Sequence, residues 1–289
     1  MNAFSSLRRG GLRWTRLPFS GDEFLRVGIM AILATGKFMS SWVEGRVAGR
    51  RQWSDSLFSL QVDAPQLTFV AGQFARIALP APPESKEPMI GRPYSFVNPP
   101  TAQPHEFYFI VLPDGPLSPR LATLTTGESV WLAPRANGFF SIAETAEAES
   151  LWCLSTGTGV GPFLSMLRTG DPWTKFGRVV LVHSVRYAEE LTYRAEIAGI
   201  ERDHPGAFDY VPMVSRGTHA HALAGRIPNA IDDGRLETRV GLSLTPENAH
   251  AMLCGNPAMV DDVQKVLASR GMRRHRRKEP GHITLETYW

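Results

Sequence analysis

The stretch LWCLSTGTGVGPFLSML at residues 151–167 decides the fold of the C-terminal half of this chain. A short apolar run ends at Leu154, glycines follow at 157, 159 and 161, and a second apolar run begins at Pro162. Between a strand and a helix, such a turn lets a phosphate approach the backbone and meet the helix dipole. The spacing is not the GxGxxG dinucleotide fingerprint, so a structural tight turn is the alternative.

The segments that follow this turn alternate between strand and helix patterns. Alternation at this spacing predicts a parallel, Rossmann-like sheet with helices on both faces. The predicted strands are 151–155, 178–183, 208–214 and 249–254, and the predicted helices are 162–168, 188–200, 226–231 and 259–269.

The segments before the turn are short apolar or β-branched runs separated by glycine and proline breaks. They predict a six-stranded antiparallel Greek-key β-barrel. The predicted strands are 42–49, 57–62, 74–79, 92–98, 106–112 and 128–133. We therefore expect a barrel domain at 39–145 and an α/β domain at 146–289, which suits a chain of 289 residues.

The first 38 residues differ from the rest. Five arginines are spread through them, and their one apolar run, 27–34, is far shorter than the roughly 20 residues of a membrane-spanning helix. They also lack a convincing secretory signal. We expect a non-core, disordered extension at 1–38, with an amphipathic targeting or surface-binding segment as the alternative.

Composition and cysteine content limit the class of protein. A hydrophobic content of 43% with 20% charged residues is ordinary for a soluble globular protein. The two cysteines, Cys153 and Cys254, lie far apart and outside any CxxC pair, which argues against a zinc site, an iron–sulfur cluster or a disulfide framework. We expect no metal and a reducing compartment. The net charge of +3 is only mildly basic.

The strand motif RPYS at 92–95 is a candidate cofactor contact. Alternation places Arg92 and Tyr94 on one face and Pro93 and Ser95 on the other. A guanidinium offers paired donors to a pyrophosphate, and a tyrosine ring can lie flat on an isoalloxazine. Ordinary surface and core roles for these two side chains are the alternative.

The segment PLSPRLATL at 116–124 predicts a helix start. Ser118 is a good N-cap and Pro119 suits the first helical position, so free backbone N–H groups would form an anion site. A simple connector helix is the alternative.

The turn in LCGNPAM at 253–259 follows a predicted strand at the carboxyl edge of the parallel sheet, where ligands of open α/β sheets bind. Cys254 is either part of that site or an inert buried thiol. Arg186 and Arg216 follow two further strands and Arg226 opens a helix, so three cations can converge on this edge. Independent surface arginines are the alternative.

A second basic cluster, RGMRRHRRK, covers residues 270–278. Such runs are usually solvated faces or nucleic-acid patches, but no interleaved aromatic residues or nucleic-acid motif accompany this one. We expect no nucleic-acid binding.

Taken in order, these segments resemble the ferredoxin/flavodoxin–NADP⁺ reductases, in particular the bacterial subclass that ends in an aromatic pair. The resemblance covers 42–289. It is carried by RPYSFVNPP, FYFIVLPDGPLSPRL, NGFF, LWCLSTGTGVGPFLSML, LVHSVRYAEEL, VSR, GRIP, LCGNPAMV and PGHITLETYW.

The resemblance implies two cofactor sites. The FAD contacts would be Arg92 on the pyrophosphate, Tyr94 on one flavin face, Tyr288 over the other face and Trp289 against the adenine, together with Pro93, Ser95, Tyr108, Phe109, Ile110, Val111, Pro116, Leu117, Ser118 and Thr158. The NADP(H) contacts would be Arg186, Arg216 and Arg226 at the 2′-phosphate, together with Thr158, Val185, Ser215, Asn256, Pro257, Ala258 and Met259.

The implied activity is electron transfer between NADP(H) and ferredoxin or flavodoxin through FAD. Tyr94, Ser95, Cys254, Glu286 and Tyr288 would surround the reacting atoms. Acidic carriers would dock on a basic face that includes Arg273, Arg274, Arg276 and Arg277. We expect a cytoplasmic monomer without a membrane span. The alternatives are the reductase component of an oxygenase, a general flavin reductase, and a non-catalytic redox-sensing subunit.

Overall fold

The structure is a computed structural model that describes residues 42–288, all within one compact unit. The predictions for residues 1–38 and for Trp289 fall outside the described residues. No helix within 42–288 is both long and apolar enough to cross a membrane.

The first half is a six-stranded antiparallel sheet with the strand order β4-β3-β6-β1-β2-β5. Phe96, just after β4, pairs with Phe107 of β5, and this bridge closes the sheet into a barrel. The strands are β1 (Val43–Gln52), β2 (Leu57–Asp63), β3 (Phe74–Pro80), β4 (Met89–Ser95), β5 (His105–Ile110) and β6 (Ser129–Leu132), and a one-turn helix, α1 (Ser118–Leu121), precedes β6.

Alternate side chains of the barrel strands fill its interior. Leu60, Ile77 and Leu132 are almost fully buried there, as alternation along half-buried strands requires. Phe69 stacks on Phe96 with ring centroids 3.7 Å apart. The predicted barrel is therefore confirmed.

The second half is a six-stranded parallel sheet with the order β10-β9-β8-β7-β11-β12. Its strands are β7 (Ser150–Thr156), β8 (Arg178–Val185), β9 (Phe208–Val214), β10 (Leu223–Ala224), β11 (Ala249–Gly255) and β12 (Ile283–Thr287). Its helices are α2 (Val160–Leu167), α3 (Asp171–Lys175), α4 (Arg194–Asp203), α5 (Ile227–Asp232), α6 (Arg235–Val240) and α7 (Pro257–Ser269).

Two apolar clusters cover the two faces of this sheet. One packs α2 and α4 against the strands, and the other packs α5 and α7 against the opposite face. The Rossmann-like prediction is confirmed. The strand order reverses between β7 and β11, and in open α/β sheets a crevice for ligands forms at such a switch point.

Several predicted boundaries differ from the structure. The strand at 92–98 is instead β4, because the chain beyond Ser95 changes partner: the Val97 N–H donates to the Glu106 carbonyl at 2.9 Å. The helix at 259–269 begins two residues earlier, since Asn256 caps it and Pro257 occupies its first position. β12 was not predicted.

The predicted helix at 188–200 is divided in two. A 3₁₀ turn spans Ala188–Glu190, and α4 begins only after Tyr193, which adopts the left-handed conformation with φ +55°. A bulky residue in that region is unusual and needs compensating contacts.

Tyr193 obtains these contacts between the two halves of the molecule. Its buried hydroxyl donates to Glu106 Oε1 at 2.7 Å and lies 2.6 Å from Ser59 Oγ. Next to it, Thr192 Oγ1 donates to the Tyr108 hydroxyl at 3.0 Å. Burial, reinforced by Glu106, raises the pKa of Tyr193 well above its ordinary value, so the phenol stays a donor.

Tyr193→Phe should destabilise the protein by about 1.5–3 kcal/mol, because Glu106 and Ser59 lose a buried partner. Chemical unfolding monitored by tryptophan fluorescence measures this change. The matched control is Tyr210→Phe, whose hydroxyl is buried with no hydrogen-bond partner among the described residues. Equal stability of the two variants would contradict a role for this network.

Candidate functional site

The glycine turn after β7 lies at the switch point of the parallel sheet. Residues Gly157–Gly159 form a 3₁₀ turn that leads directly into α2. A Cβ on Gly159 would lie 2.5 Å from the Cys254 carbonyl oxygen, so only glycine lets this turn approach β11 so closely. The predicted strand, turn and helix are confirmed.

The turn after β11 is tied to the first turn. Gly255 has φ +136°, and a side chain there would strike Thr156. The Thr156 hydroxyl accepts a hydrogen bond from the Asn256 N–H at 2.9 Å, and Asn256 Oδ1 accepts one from the Ala258 N–H at 3.0 Å. The backbone of both turns is thereby fixed at one edge.

Four of the five predicted reactive residues come together beside these turns. β11 and β12 pair with Cys254 opposite Glu286, and the Tyr288 N–H donates to the Gly255 carbonyl at 2.8 Å. From the barrel, Ser95 Oγ donates to Glu286 Oε1 at 3.3 Å. The Tyr288 hydroxyl approaches both the Cys254 thiol and the Ser95 hydroxyl. This group, the Ser95–Glu286 cluster, spans both halves of the molecule.

Burial controls the protonation of this cluster. It raises the pKa of Glu286 to about 7, against a smaller opposing effect of the Ser95 hydrogen bond. Burial, reinforced by Glu286, raises the pKa of the Cys254 thiol well above its usual value. Burial likewise raises the pKa of Tyr288. Near neutral pH, Glu286 can therefore exchange a proton while the thiol and the phenol stay neutral.

Arg92 and Tyr94 lie on β4, next to Ser95. Arg92 is exposed, and its Nη1 donates to the Gly91 carbonyl at 2.9 Å. The Tyr94 ring packs edge-on against Phe109 at 5.7 Å, and burial raises the pKa of Tyr94 to about 12 although Arg92 opposes the shift. The strand thus presents a cation, an aromatic ring and a hydroxyl in succession.

Tyr108 and Ser118 have positions that the sequence did not predict. The Tyr108 ring packs against Trp53 and Tyr193 between the two halves. The expected Ser118 N-cap is wrong: Leu117 occupies that position, and Ser118 Oγ instead accepts a hydrogen bond from the Leu112 N–H at 3.0 Å. The hydroxyl is used to close the preceding loop, so it does not cap the short helix. A flavin role for either residue stays a prediction.

The other predicted FAD positions vary in exposure. Phe109 and Leu117 are buried, Thr158 and Val111 are half-buried, and Pro93, Ile110 and Pro116 are exposed.

The three arginines predicted to converge follow β8, β9 and β10. Arg186 follows β8, and its carbonyl accepts the Arg216 N–H at 2.8 Å, while Arg226 caps α5. All three side chains are exposed. Glu190 also lies at this edge, but its Oε2 is engaged by the Arg186 N–H at 2.8 Å.

The remaining predicted nucleotide contacts lie at the same edge of the sheet. Ser215 Oγ donates to the Val185 carbonyl at 3.1 Å. Pro257 is half-buried and Met259 is buried on α7, whereas Asn256 and Ala258 are exposed.

The basic cluster divides into an internal arginine and an exposed arm. Arg270 Nη1 donates to Glu237 Oε2 at 2.7 Å and so serves the packing of α6 and α7. The exposed arm, residues 273–279, carries Arg273, Arg274, Arg276 and Arg277. Arg277 binds Glu144 through two hydrogen bonds of 3.0 and 2.7 Å.

Among residues 42–288, no group of acidic, histidine and cysteine side chains is placed to hold a metal ion.

Sequence reasoning missed three residues at this site. Thr156 and Gly255, which fix the two turns, belong to quoted motifs but had no assigned role. Phe139, in NGFF, had none either, although it is 67% exposed. The sequence pattern that could have indicated Phe139 is an apolar aromatic residue between a glycine and a second phenylalanine.

This fold and site define a class of oxidoreductase in which a β-barrel is joined to a nucleotide-binding parallel sheet. Residues 153–265 match the family model of the oxidoreductase NAD-binding domain. The chain belongs to the flavodoxin/ferredoxin–NADP reductase family, because relatives of that name are 45% identical to it over 252 residues.

Similarity to individual proteins supports this membership. The flavodoxin/ferredoxin–NADP reductase of Escherichia coli (strain K12) is 45% identical over 252 residues, covering 87% of this chain and 100% of that protein. The ferredoxin–NADP reductase of Pseudomonas aeruginosa is 33% identical, covering 86% and 98%. A crystal structure of a Neisseria gonorrhoeae ferredoxin NADP⁺ reductase with bound FAD and NADP has a TM-score of 0.80 and 30% identity, covering 86% and 99%.

The pKa of Glu286 predicts a specific pH dependence of stability. Its folded-state pKa of about 7 exceeds the ordinary 4.5, so the folded protein binds more protons than the unfolded chain between these values. The contribution of Glu286 to stability is therefore complete below pH 4.5 and is lost as the pH rises through 7.

Glu286→Gln should remove this loss, since the amide does not titrate. The measurement is the free energy of unfolding as a function of pH for the parent and the variant, with Glu279→Gln on the exposed arm as the control. Parallel curves for the parent and Glu286→Gln would contradict the assigned pKa.

Proposed function

We propose that this protein transfers electrons between NADP(H) and a one-electron carrier, ferredoxin or flavodoxin, through bound FAD. The observation that carries the proposal is the Ser95–Glu286 cluster, in which a barrel strand and the nucleotide-type sheet meet. Membership of the family supports the same conclusion. A sensing subunit has no need for such a cluster at the meeting point of the two halves.

The side chains of Arg92, Tyr94 and Ser95 on β4 are suited to binding FAD. Arg92 would hold the pyrophosphate, because its exposed fork offers paired donors. Tyr94 would pack on the flavin ring and Ser95 would contact the same ring near its reacting edge. FAD supplies both two-electron and one-electron redox chemistry when it is bound.

The carboxyl edge of the parallel sheet fits a dinucleotide. The turn at Gly157–Gly159 and the start of α2 offer backbone N–H groups to a pyrophosphate. Arg186, Arg216 and Arg226 would bind the 2′-phosphate, which selects NADP(H) over NAD(H). Asn256 to Met259 would line the nicotinamide side.

The Ser95–Glu286 cluster would orient the nicotinamide, and Glu286 would hold or release a proton beside it. Ser95 Oγ donates to Glu286 Oε1, so a proton held on Glu286 lies one hydrogen bond from the barrel. The neutral Cys254 thiol provides a small, uncharged surface at this place. Tyr288 occupies the adjoining position and would move aside when the nicotinamide enters.

The exposed arm supplies positive charge for an acidic carrier, since complementary charge accelerates the encounter of the two proteins.

We also propose that residues 39–145 and 146–289 act as the FAD and NADP(H) domains, respectively, and that the protein works as a cytoplasmic monomer.

The proposed function is tested directly by the purified protein. It should carry bound FAD, seen as flavin absorbance, and should reduce ferredoxin or flavodoxin with NADPH. A protein without flavin, or one whose kcat/KM for NADH equals that for NADPH, would contradict the proposal.

Arg92→Ala should weaken FAD binding, because a charge-assisted contact worth about 1.5–3 kcal/mol is lost. This corresponds to roughly ten- to a hundredfold faster flavin loss, measured by flavin fluorescence after dilution. Arg46→Ala, another exposed arginine of the barrel, is the control. Full flavin occupancy in Arg92→Ala after dilution would refute the contact.

Arg216→Ala and Arg226→Ala should raise KM for NADPH by roughly tenfold or more and leave KM for NADH nearly unchanged, since NADH lacks the 2′-phosphate. Steady-state reduction of ferricyanide with each coenzyme measures the effect. Arg239→Ala on α6 is the matched control. Equal increases for both coenzymes would remove the assigned role of these arginines.

A further inference from the structure

Phe139 is the most exposed large apolar side chain among the described residues, at 67%, and Val70 follows at 53%. The Gln73 side chain joins the segments that carry the two residues. Gln73 Oε1 accepts the Val70 N–H at 2.9 Å, and Gln73 Nε2 donates to the Gly138 carbonyl at 3.2 Å. Phe139, with Val70 on the segment that Gln73 joins to its own, is named here the Phe139 patch.

The conformation of Phe139 is fixed from both sides. The next residue, Phe140, is buried and packs edge-on against Phe163 at 5.4 Å. On the outer side, the Arg277 guanidinium lies 4.2 Å from the centre of the Phe139 ring. Arg277 is itself fixed by the paired hydrogen bonds to Glu144. Phe139 and Arg277 are both largely exposed, and aromatic and arginine side chains are enriched at protein interfaces.

The surroundings of the Phe139 patch are strongly basic. The exposed arm contributes Arg273, Arg274, Arg276 and Arg277, and Lys278 adds a fifth cation. The acidic residues near them include Glu144, which pairs with Arg277, and Glu279, which lies 4.0 Å from Arg273 and 3.8 Å from Arg276. Glu286 lines the same cleft as the arm. An apolar centre with a cationic rim fits a partner that presents carboxylates around an apolar contact.

The Phe139 patch also lies next to the reactive centre. A cleft of about 320 Å³ is lined by Phe139, Glu144, the arm from Arg274 to Arg277, and Glu286. A Cβ placed on Gly138 would be 3.6 Å from Glu286 Oε2. A protein seated on Phe139 therefore approaches the Ser95–Glu286 cluster closely.

We propose that Phe139 is the apolar anchor on which an acidic electron-carrier protein docks, while Arg273, Arg274 and Arg276 bind its carboxylates and Arg277 holds the anchor in place. The inference rests on the proposed function, because that function requires such a carrier. It assigns to Phe139 a task separate from coenzyme binding and from the flavin contacts.

The test compares two acceptors with the flavin-loaded enzyme and NADPH. Ferricyanide is small and needs no docking surface, whereas ferredoxin and flavodoxin do. Phe139→Ala should raise KM for ferredoxin or flavodoxin by roughly tenfold, the usual effect of truncating an interface anchor. Ferricyanide reduction should stay at the parental rate. Phe139→Leu, which keeps an apolar side chain, should restore most of the carrier affinity.

The ionic-strength dependence separates the anchor from the charged rim. Carrier reduction by Phe139→Ala should keep the parental salt dependence, because no charge is removed. Arg276→Gln should reduce that dependence, since one complementary charge is lost. Arg202→Gln, which changes an exposed arginine of α4, is the charge control and should match the parent.

Parental KM values for the carriers in Phe139→Ala would overturn the proposal. A parallel fall in ferricyanide reduction would also overturn it, because Phe139 would then act on the flavin centre itself. A parent enzyme that reduces ferricyanide but shows no saturable reduction of either carrier would instead refute the proposed function, and the anchor with it. Saturable kinetics in the parent with no effect of Phe139→Ala would refute the anchor alone.

Discussion

The parallel pairing of β11 with β12 is the interaction on which the rest of the site depends. It sets Glu286 beside Cys254 and brings the Tyr288 N–H onto the Gly255 carbonyl. Without this register, Ser95 on the barrel would have no carboxylate to bind, and the two halves would share no reactive cluster. The glycines at 159 and 255 keep the two turns together at this edge, because a side chain on Gly159 would strike the Cys254 carbonyl of β11 and one on Gly255 would strike Thr156 of β7.

Strong periodicity explains why the sequence predicted both sheets. The interior strands β7 and β8 are almost continuously buried, and burial alternates along β1 and β6 of the barrel. β12 lacked such a signal, because an edge strand of mixed polarity, ITLET, is half-buried and has a single neighbour. The left-handed Tyr193 also escaped prediction. Its conformation is imposed by contacts with Ser59 and Glu106, which are more than 80 residues away in sequence.

The candidate site could be predicted only in part. Family resemblance indicated Ser95, Cys254, Glu286 and Tyr288, and the structure brings them together. Local rules failed where long-range contacts decide the role of a side chain. Ser118 has the preferred residue type for a helix cap, yet its hydroxyl serves a loop. Arg270 belongs to a basic run, yet it binds Glu237 inside the fold.

The buried Tyr193 network has a consequence for access to the centre. Its hydrogen bonds and its ring contacts with Trp53 and Tyr108 join the two halves. A hinge motion that separated the barrel from the parallel-sheet half would break all of these contacts at once. Under the proposed function, coenzyme is therefore admitted by a local movement of Tyr288, which follows the edge strand β12, while the two halves keep their relative position.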